Sequence, residues 1–424
     1  MTRLVAELAS RGMSGMKLGL EPMRKACAAL GNPEKLFRAV HVAGTNGKGA
    51  VTAILDAAFR ARGVVGVARY TSPHLMKVNE RFFINGEQVS DKDLEDASES
   101  VLASNECDSL TYFETLTAAA FVLFAQKKIS LAALECGLGG RLDATNVCNS
   151  VLSVITRVGL DHCDWLGNTP EEVAFEKAGI IREGVPVVLG MNDPRVREVV
   201  ERRARELNAP FVYAPDIASE EEIPSAFSLS GLFNRENAVT AIASLKTLES
   251  IGVLKTAENL TDGLADVVWP GRFHRIGGVI VDGAHNPPAA EALAASLSSQ
   301  LDGKKVVLVA GFCSDKDVDF VLRTLAPHVS RAVAVRTDNP RSLSAEETAS
   351  QMRGVGIEAS AASSLEEALE VSGARKASLS SSSGAVEVLI CGSLFLAGAA
   401  LSALGAFPYP VGDAMDPSER LRAN

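Results

Sequence analysis

The sequence predicts an α/β protein with a P-loop: a mostly parallel sheet wrapped by helices, followed by a second, smaller Rossmann-like α/β domain. Three observations carry this. Short Val/Ile/Leu/Ala runs alternate with helix-length stretches over residues 39–190, the rhythm restarts near residue 277, and GTNGKGA (44–50) separates a strand-like run from a helix-like one. Alternation of this kind builds parallel strands joined by covering helices.

Taken in order, strands are expected at 39–43, 64–71, 130–136, 151–156 and 185–190. Residues 51–62 read as an amphipathic helix that stops at Gly63, and 113–126 as a helix buried almost all round. In the second block, strands are expected at 278–282, 305–310, 331–336 and 386–391, with helices such as 288–301 and 364–376 between them. The domain boundaries that follow are 1–268, a linker at 269–276 that includes Trp269-Pro270-Gly271-Arg272-Phe273, and 277–424. Residues 378–384 form a serine-rich, low-complexity loop. The uncharged run 388–407 is long enough to cross a bilayer, but Gly392, Ser393, Gly398 and Gly405 divide it into a buried strand and a helix at 394–404.

At 424 residues the chain has length for two or three cores, and sparse aromatics (5%) leave the packing to aliphatics and alanine, as α/β layers require. A net charge of −10 with no basic block argues against nucleic-acid binding through an electrostatic footprint. Seven scattered cysteines without a C-x-x-C pair, and a start, MTRLVAELASRGMSG, without an apolar core, are those expected of a cytosolic protein with reduced thiols and no membrane partner.

The functional reading starts at the glycine loop. Backbone N–H groups of Gly44, Thr45, Asn46, Gly47 and Gly49 can approach phosphates, the helix N-terminus adds positive potential, and Lys48 can reach the terminal phosphates. The segment departs from the strict pattern at Val42, where a glycine is usual, and at Gly49, where a hydroxyl usually follows the lysine.

Other polar residues fall at the expected carboxyl ends of strands, which share one edge of a parallel sheet. Ser72 lies in YTSPH, Glu135 precedes the glycine-rich CGLGGRLD, and His162 lies in LDH. Together they offer a hydroxyl, a carboxylate and an imidazole. Oxygen ligands with phosphates suit Mg2+, whereas imidazole is softer than that ion prefers; read alone, His162 is equally a loop histidine satisfied by hydrogen bonds. Lys177 is either a snorkelling lysine or a partly buried amine with a lowered pKa, open to chemistry or modification. In the second block DGAHNP follows a strand and opens a helix, and Arg272 is either a clamp on a polyphosphate or a solvated arginine.

In order along the chain, HVAGTNGKGA, YTSPHL, NERF, TYFE, ECGLGGRLDATNV, LDHCDWLG, EKAGI, FNRENA, WPGRF and DGAHNP resemble the anchors of the dihydrofolate synthase/folylpolyglutamate synthase family, relatives of the muramyl amino-acid ligases, over residues 41–395. The resemblance implies an ATP-dependent carboxylate–amine ligase working through an acyl phosphate. The amine is L-glutamate and the acceptor dihydropteroate, tetrahydrofolate or both; RLDATN beside LDHCDWLG is most similar to bifunctional bacterial members. It implies that Lys48 and its loop hold ATP with Asn237, Arg272 and Asp282, and that Ser72, Glu135 and His162 hold Mg2+. Lys177 matches a carbamylated lysine, and His285 contacts ATP and joins Lys48 and Lys177 in catalysis. Phe113, Arg141 and Asp143 match positions near the pterin-bearing substrate, and Ser393 one near the incoming glutamate. A monomer is expected.

Ala50 departs from the family, which normally carries serine there with its hydroxyl on magnesium. A water or Ser72 is expected to take that place with weaker metal affinity, because Thr52 faces elsewhere on the helix. The rivals are a monofunctional synthase of either kind, a sister ligase acting on a cell-wall or other acceptor, and a nucleotide switch or binding module without ligase activity. The sister ligase needs a nucleotide-sugar-binding N-terminal domain, for which roughly 40 residues before the loop are too few.

Overall fold

The structure, a computed structural model, describes residues 19–257, 259–380 and 386–409. The first sheet contains β1 (Arg38–Ala43), β2 (Val67–Tyr70), β3 (Phe82–Ile84), β4 (Glu87–Gln88), β5 (Leu131–Glu135), β6 (Ser150–Ile155), β7 (Val187–Leu189) and β8 (Phe211–Tyr213), in the order β4-β3-β2-β5-β1-β6-β7-β8. All neighbours are parallel except the edge hairpin, where β2–β3 and β3–β4 are antiparallel.

The second sheet contains β9 (His274–Ile276), β10 (Val279–Val281), β11 (Val306–Ala310), β12 (Val329–Ala334), β13 (Ala359–Ala361) and β14 (Val388–Cys391), in the order β13-β12-β11-β14-β10-β9. Only β9 is antiparallel.

Strands buried on both faces read as continuous apolar runs, which is why β1, β5, β6, β10, β11 and β14 stand out in the sequence. In β5 the alternation is two-sided: Ala132 and Leu134 pack into one cluster, Leu131 and Ala133 into another. The helix Lys48–Ala61 and the helix Leu232–Ser250 cover one face. The helix Tyr112–Gln126 covers the other, and Thr111 with Glu114 forms a capping box that fixes its start.

Five strands are absent from the sequence reading: β3, β4, β8, β9 and β13 are two or three residues long and too short to show a period. One of them corrects the linker. His274–Ile276 lies inside the expected 269–276 segment, yet it pairs with β10, with Ile276 opposite Val279. The helix expected at 364–376 is two, Leu365–Ser372 and Ala374–Ser378, because Gly373 at φ 80° takes the left-handed conformation that ends a helix. Of the serine-rich stretch, residues 381–385 lie outside the described residues. The uncharged run 388–407 does divide into β14 and the helix Leu394–Ala403, and among the described residues no helix is long and apolar enough to cross a membrane.

Candidate active site

Because β1, β2, β5 and β6 are parallel, their carboxyl ends share one edge. The carboxyl ends of β10, β11 and β14 face that edge from the second sheet, and a cavity of about 350 Å³ lies between the two.

The glycine loop forms the floor. Gly44 (φ 152°) and Gly47 (φ 88°) admit no side chain, since a Cβ would stand 1.8 Å from Thr156 Oγ1 and 2.2 Å from Asn237 Oδ1 respectively. The loop is clamped from the β6 side: Thr45 donates from its backbone N to Arg157 O (2.8 Å) and from Oγ1 to Gly159 O (2.8 Å). The helix Lys48–Ala61 then starts at the cavity, so its N-terminal potential and Lys48 face the same space. Lys48 Nζ stands 4.0 Å from Glu135 Oε1 and donates to Thr45 O at 3.1 Å.

Glu135 ends β5 and is buried; burial raises its pKa, and Lys48 opposes that rise. Its Oε2 accepts from the backbone N of Ser72 at 2.9 Å, which ties the end of β2 to the end of β5. His162 is exposed, but it lines the same cavity beside Asp161. This donor set fits a hard divalent cation: one carboxylate and one hydroxyl at a space open to phosphate oxygens. Among the described residues no group of three or more His, Cys, Asp or Glu makes a closed metal cage.

Lys177 lies at the end of the helix Pro170–Ala178, buried, and donates from Nζ to Gly44 O at 2.7 Å. Burial, then the Lys48 charge, lower its pKa to about 7. Across the cavity, Asp282 follows β10 and accepts from the backbone N–H groups of Phe273 and Ala284, each at 2.7 Å. Arg272 faces it with Glu135 also within electrostatic reach. His285 Nδ1 lies 2.7 Å from Gly283 O, and a carbonyl only accepts, so Nδ1 carries the proton and Nε2 is the acceptor nitrogen. Burial and then Lys316 lower the His285 pKa to about 4.

The two walls are joined directly. Asn286 caps the helix Pro287–Ser298 through Ala289 N, accepts from Asn46 Nδ2 at 3.3 Å and donates to Asp161 Oδ2 at 2.7 Å. Lys316, after β11, reaches Asp161 Oδ1 at 3.4 Å.

The Mur ligase, glutamate ligase domain family matches residues 271–393. A dihydrofolate synthase/folylpolyglutamate synthase of Bacillus subtilis is 36% identical over 341 residues, covering 73% of this chain and 79% of the relative. E. coli FolC in complex with DHPP and ADP superposes with a TM-score of 0.80 at 30% identity, over 95% of this chain and 98% of that one. A bifunctional folylpolyglutamate synthase/dihydrofolate synthase with Mn, AMPPNP and L-glutamate bound superposes with a TM-score of 0.79 at 33% identity, over 92% and 95%.

This chain belongs to the dihydrofolate synthase/folylpolyglutamate synthase family.

Within this synthase, Gly44, Thr45, Asn46, Gly47, Lys48, Gly49, Ser72, Glu135, His162, Lys177, Asn237, Arg272, Asp282, His285 and Ser393 all line one cavity. Ser393 also caps the helix Leu394–Ala403, accepting from Phe395 N at 3.2 Å. Phe113, Arg141 and Asp143 do not line it. Phe113 stacks on Tyr70 at 6.2 Å and closes over Gly137, whose Cβ would be 2.5 Å from the ring. Arg141 is paired with Glu176 at 2.8 Å, and the buried Asp143 carboxylate accepts from the backbone N–H groups of Leu138 (2.8 Å) and Thr145 (3.0 Å). Ala50 is buried beside the loop, and Thr52 Oγ1 donates back to Lys48 O at 2.8 Å, away from the cavity.

Lys316 lines the cavity outside every quoted motif, and Asp161 and Trp269 line it from inside LDHCDWLG and WPGRF without a role read for them. Asp161 stands next to His162 in LDH, and Lys316 follows β11 in CSDKD, so the strand-end rule that marks Glu135 and Asp282 marks them too. Trp269 is flagged only as part of the WPGRF linker segment, not by a strand end.

Proposed function

We propose that this protein is an ATP-dependent ligase that joins L-glutamate to dihydropteroate, forming dihydrofolate, and to tetrahydrofolate, extending it. The observation that carries the reading is the pairing of Lys48 and Glu135 on one wall of a cavity with Arg272 and Asp282 on the other. Relatives of the family bind ADP with DHPP, and a metal with AMPPNP and L-glutamate, in a fold of the same two sheets.

The glycine loop, Lys48, Asn237, Arg272 and Asp282 hold ATP. A carboxylate oxygen of the acceptor attacks the γ-phosphorus, the bond to ADP breaks, and an acyl phosphate forms. The glutamate amine then attacks the acyl carbon, phosphate leaves with its electron pair, and the nitrogen loses a proton. Lys48 and Arg272 offset the charge on the transferred group without moving, since they are held in place before reaction. His285, neutral with Nε2 as acceptor, would accept a hydrogen bond from the incoming amine and so orient it.

Ser72, Glu135 and His162 would hold Mg2+, which neutralises phosphate charge when bound. An amine with a pKa of about 7 is neutral often enough to add CO2, so Lys177 is competent to become the carbamate, losing one proton as the N–C bond forms. Phe113, Arg141 and Asp143 flank the pterin-bearing substrate from behind the Gly137 turn, and Ser393 meets glutamate. The enzyme works as a cytosolic monomer, its site supplied by one chain.

The test is ADP release with each acceptor, with and without glutamate. ADP that requires both glutamate and an acceptor is the expected result. ADP released at the same rate without them indicates a nucleotide-hydrolysing module, and dependence on a single acceptor indicates a monofunctional synthase.

A further inference from the structure

Gly49 occupies the position where a phosphate loop ordinarily carries a hydroxyl after its lysine. The space beside it is filled. A Cβ on Gly49 would stand 2.1 Å from Trp269 Cζ2 and 2.7 Å from its Cη2, so the six-membered half of the indole lies directly on the Gly49 Cα. Trp269 is half-buried, packs against the cluster that includes Ala53, Ala57 and Leu264, and lines the cavity. The Arg69 guanidinium also lies over the ring, its Cζ 5.7 Å from the centroid. Arg69 is in turn 3.9 Å from Asp56 Oδ2, and Asp56 belongs to the same helix as Lys48.

The position of this contact along the chain gives it a consequence. Gly49 follows Lys48 directly, and Trp269 precedes Arg272 by three residues in the segment that joins the two sheets. The two cations that approach the cavity from opposite walls are therefore each anchored next to one rigid contact. A flat ring on a bare Cα permits this approach, and any side chain at 49 forbids it.

We propose that Trp269 is a positioning residue: its indole, seated on Gly49, sets the distance between Lys48 and Arg272 and so couples the hinge between the domains to the phosphate loop. The proposal rests on the ligase reading for its kinetic readout but not for its binding readout.

The test is a double-mutant cycle with Trp269→Ala, Gly49→Ala and the double variant, together with Trp269→Phe. Three quantities are measured: affinity for AMPPNP by calorimetry, steady-state KM for ATP and for glutamate, and melting temperature. Trp269→Ala is expected to weaken AMPPNP binding and raise KM for ATP about tenfold, less than the roughly hundredfold cost of a full 1 Å misplacement, with KM for glutamate unchanged. Trp269→Phe recovers most of the loss.

Gly49→Ala weakens binding further, and the double variant binds better than Gly49→Ala alone, because the added methyl no longer meets a ring. Unchanged nucleotide binding in Trp269→Ala overturns the proposal. So does a double variant whose losses simply multiply. If Gly49→Ala does not fold, Trp269→Ala and Trp269→Phe decide alone. A wild-type protein that lacks glutamate-dependent ADP release would sink the ligase reading and leave the AMPPNP cycle interpretable.

Discussion

Lys177 Nζ donates to the backbone carbonyl of Gly44 at 2.7 Å, so a helix late in the first domain is fastened to the first residue of the phosphate loop. The amine is buried, and its pKa falls from 10.5 to about 7. A base with a depressed folded pKa costs stability in full below about pH 7. That cost is relieved as pH rises toward 10.5, because only the unfolded chain holds the proton in that interval. Lys177→Met should therefore gain stability relative to wild type most clearly below pH 7, with the difference shrinking up to pH 10.5. Urea melts of both proteins at several pH values check this; a difference independent of pH contradicts it.

The same amine should add CO2. Wild type equilibrated with 13C-bicarbonate at pH 8 is expected to show one carbamate carbon resonance that Lys177→Met lacks. Identical spectra from the two proteins would remove the modification.

Ala50 is buried at the start of the Lys48 helix. Ala50→Ser adds a hydroxyl to the cavity lining, and the half-saturating Mg2+ concentration should fall severalfold, since each added oxygen ligand strengthens a hard-cation site. An unchanged Mg2+ dependence of ADP release contradicts this.

Much of the site is legible in the sequence because parallel sheets collect their strand ends. Glu135 and Ser72 each follow an apolar run of one parallel sheet, which predicts their convergence, and Asp282 follows one in the second sheet, which marks it as a strand-end residue there. The positions of Trp269 and of the Asn46–Asn286 contact are not legible. They depend on how two separately folded sheets meet, and no local period encodes that. Gly49 shows the difference: the sequence reads it as a missing hydroxyl, whereas the structure shows a glycine required by a ring 220 residues away (269 − 49). The pterin-facing assignments of Phe113, Arg141 and Asp143 come from resemblance alone, and in the structure these side chains are occupied with Tyr70, Glu176 and the Leu138–Thr145 turn.

Asp161 joins the two walls. Burial alone would raise its pKa, but Lys316, His162, His285 and Asn286 outweigh burial and hold it at about 2 against an ordinary 3.8. An acid with a depressed folded pKa contributes stability above pH 3.8 and loses it as pH falls through about 2. Asp161→Asn should cost about 1.5–3 kcal/mol at pH 7, the range for a hydrogen bond to a charged group, and the cost should vanish near pH 2. It should also raise KM for ATP, because the closed cavity loses its direct tie to Lys316. A variant that matches wild type in both respects contradicts the tie.

Leu75, from the first domain, seats against Gly271 of the linker and Gly398 of the second domain. A Cβ on Gly398 would lie 2.9 Å from the Leu75 backbone carbonyl oxygen, which cannot rotate away. Gly398→Val should destabilise by about 1–3 kcal/mol, as overpacking does, and lower kcat. Trimming Leu75 to Ala should not rescue it, since the obstacle is backbone; rescue would show that the side chain, not the seam, is the constraint.

The central claim is that the acceptor carboxylate is activated by phosphorylation inside this cavity. Dihydropteroate labelled with 18O in its carboxylate, incubated with ATP, Mg2+ and L-glutamate, should deliver one 18O into each inorganic phosphate released. Dihydrofolate formed with phosphate free of the label would mean that no acyl phosphate forms, and the account would fail.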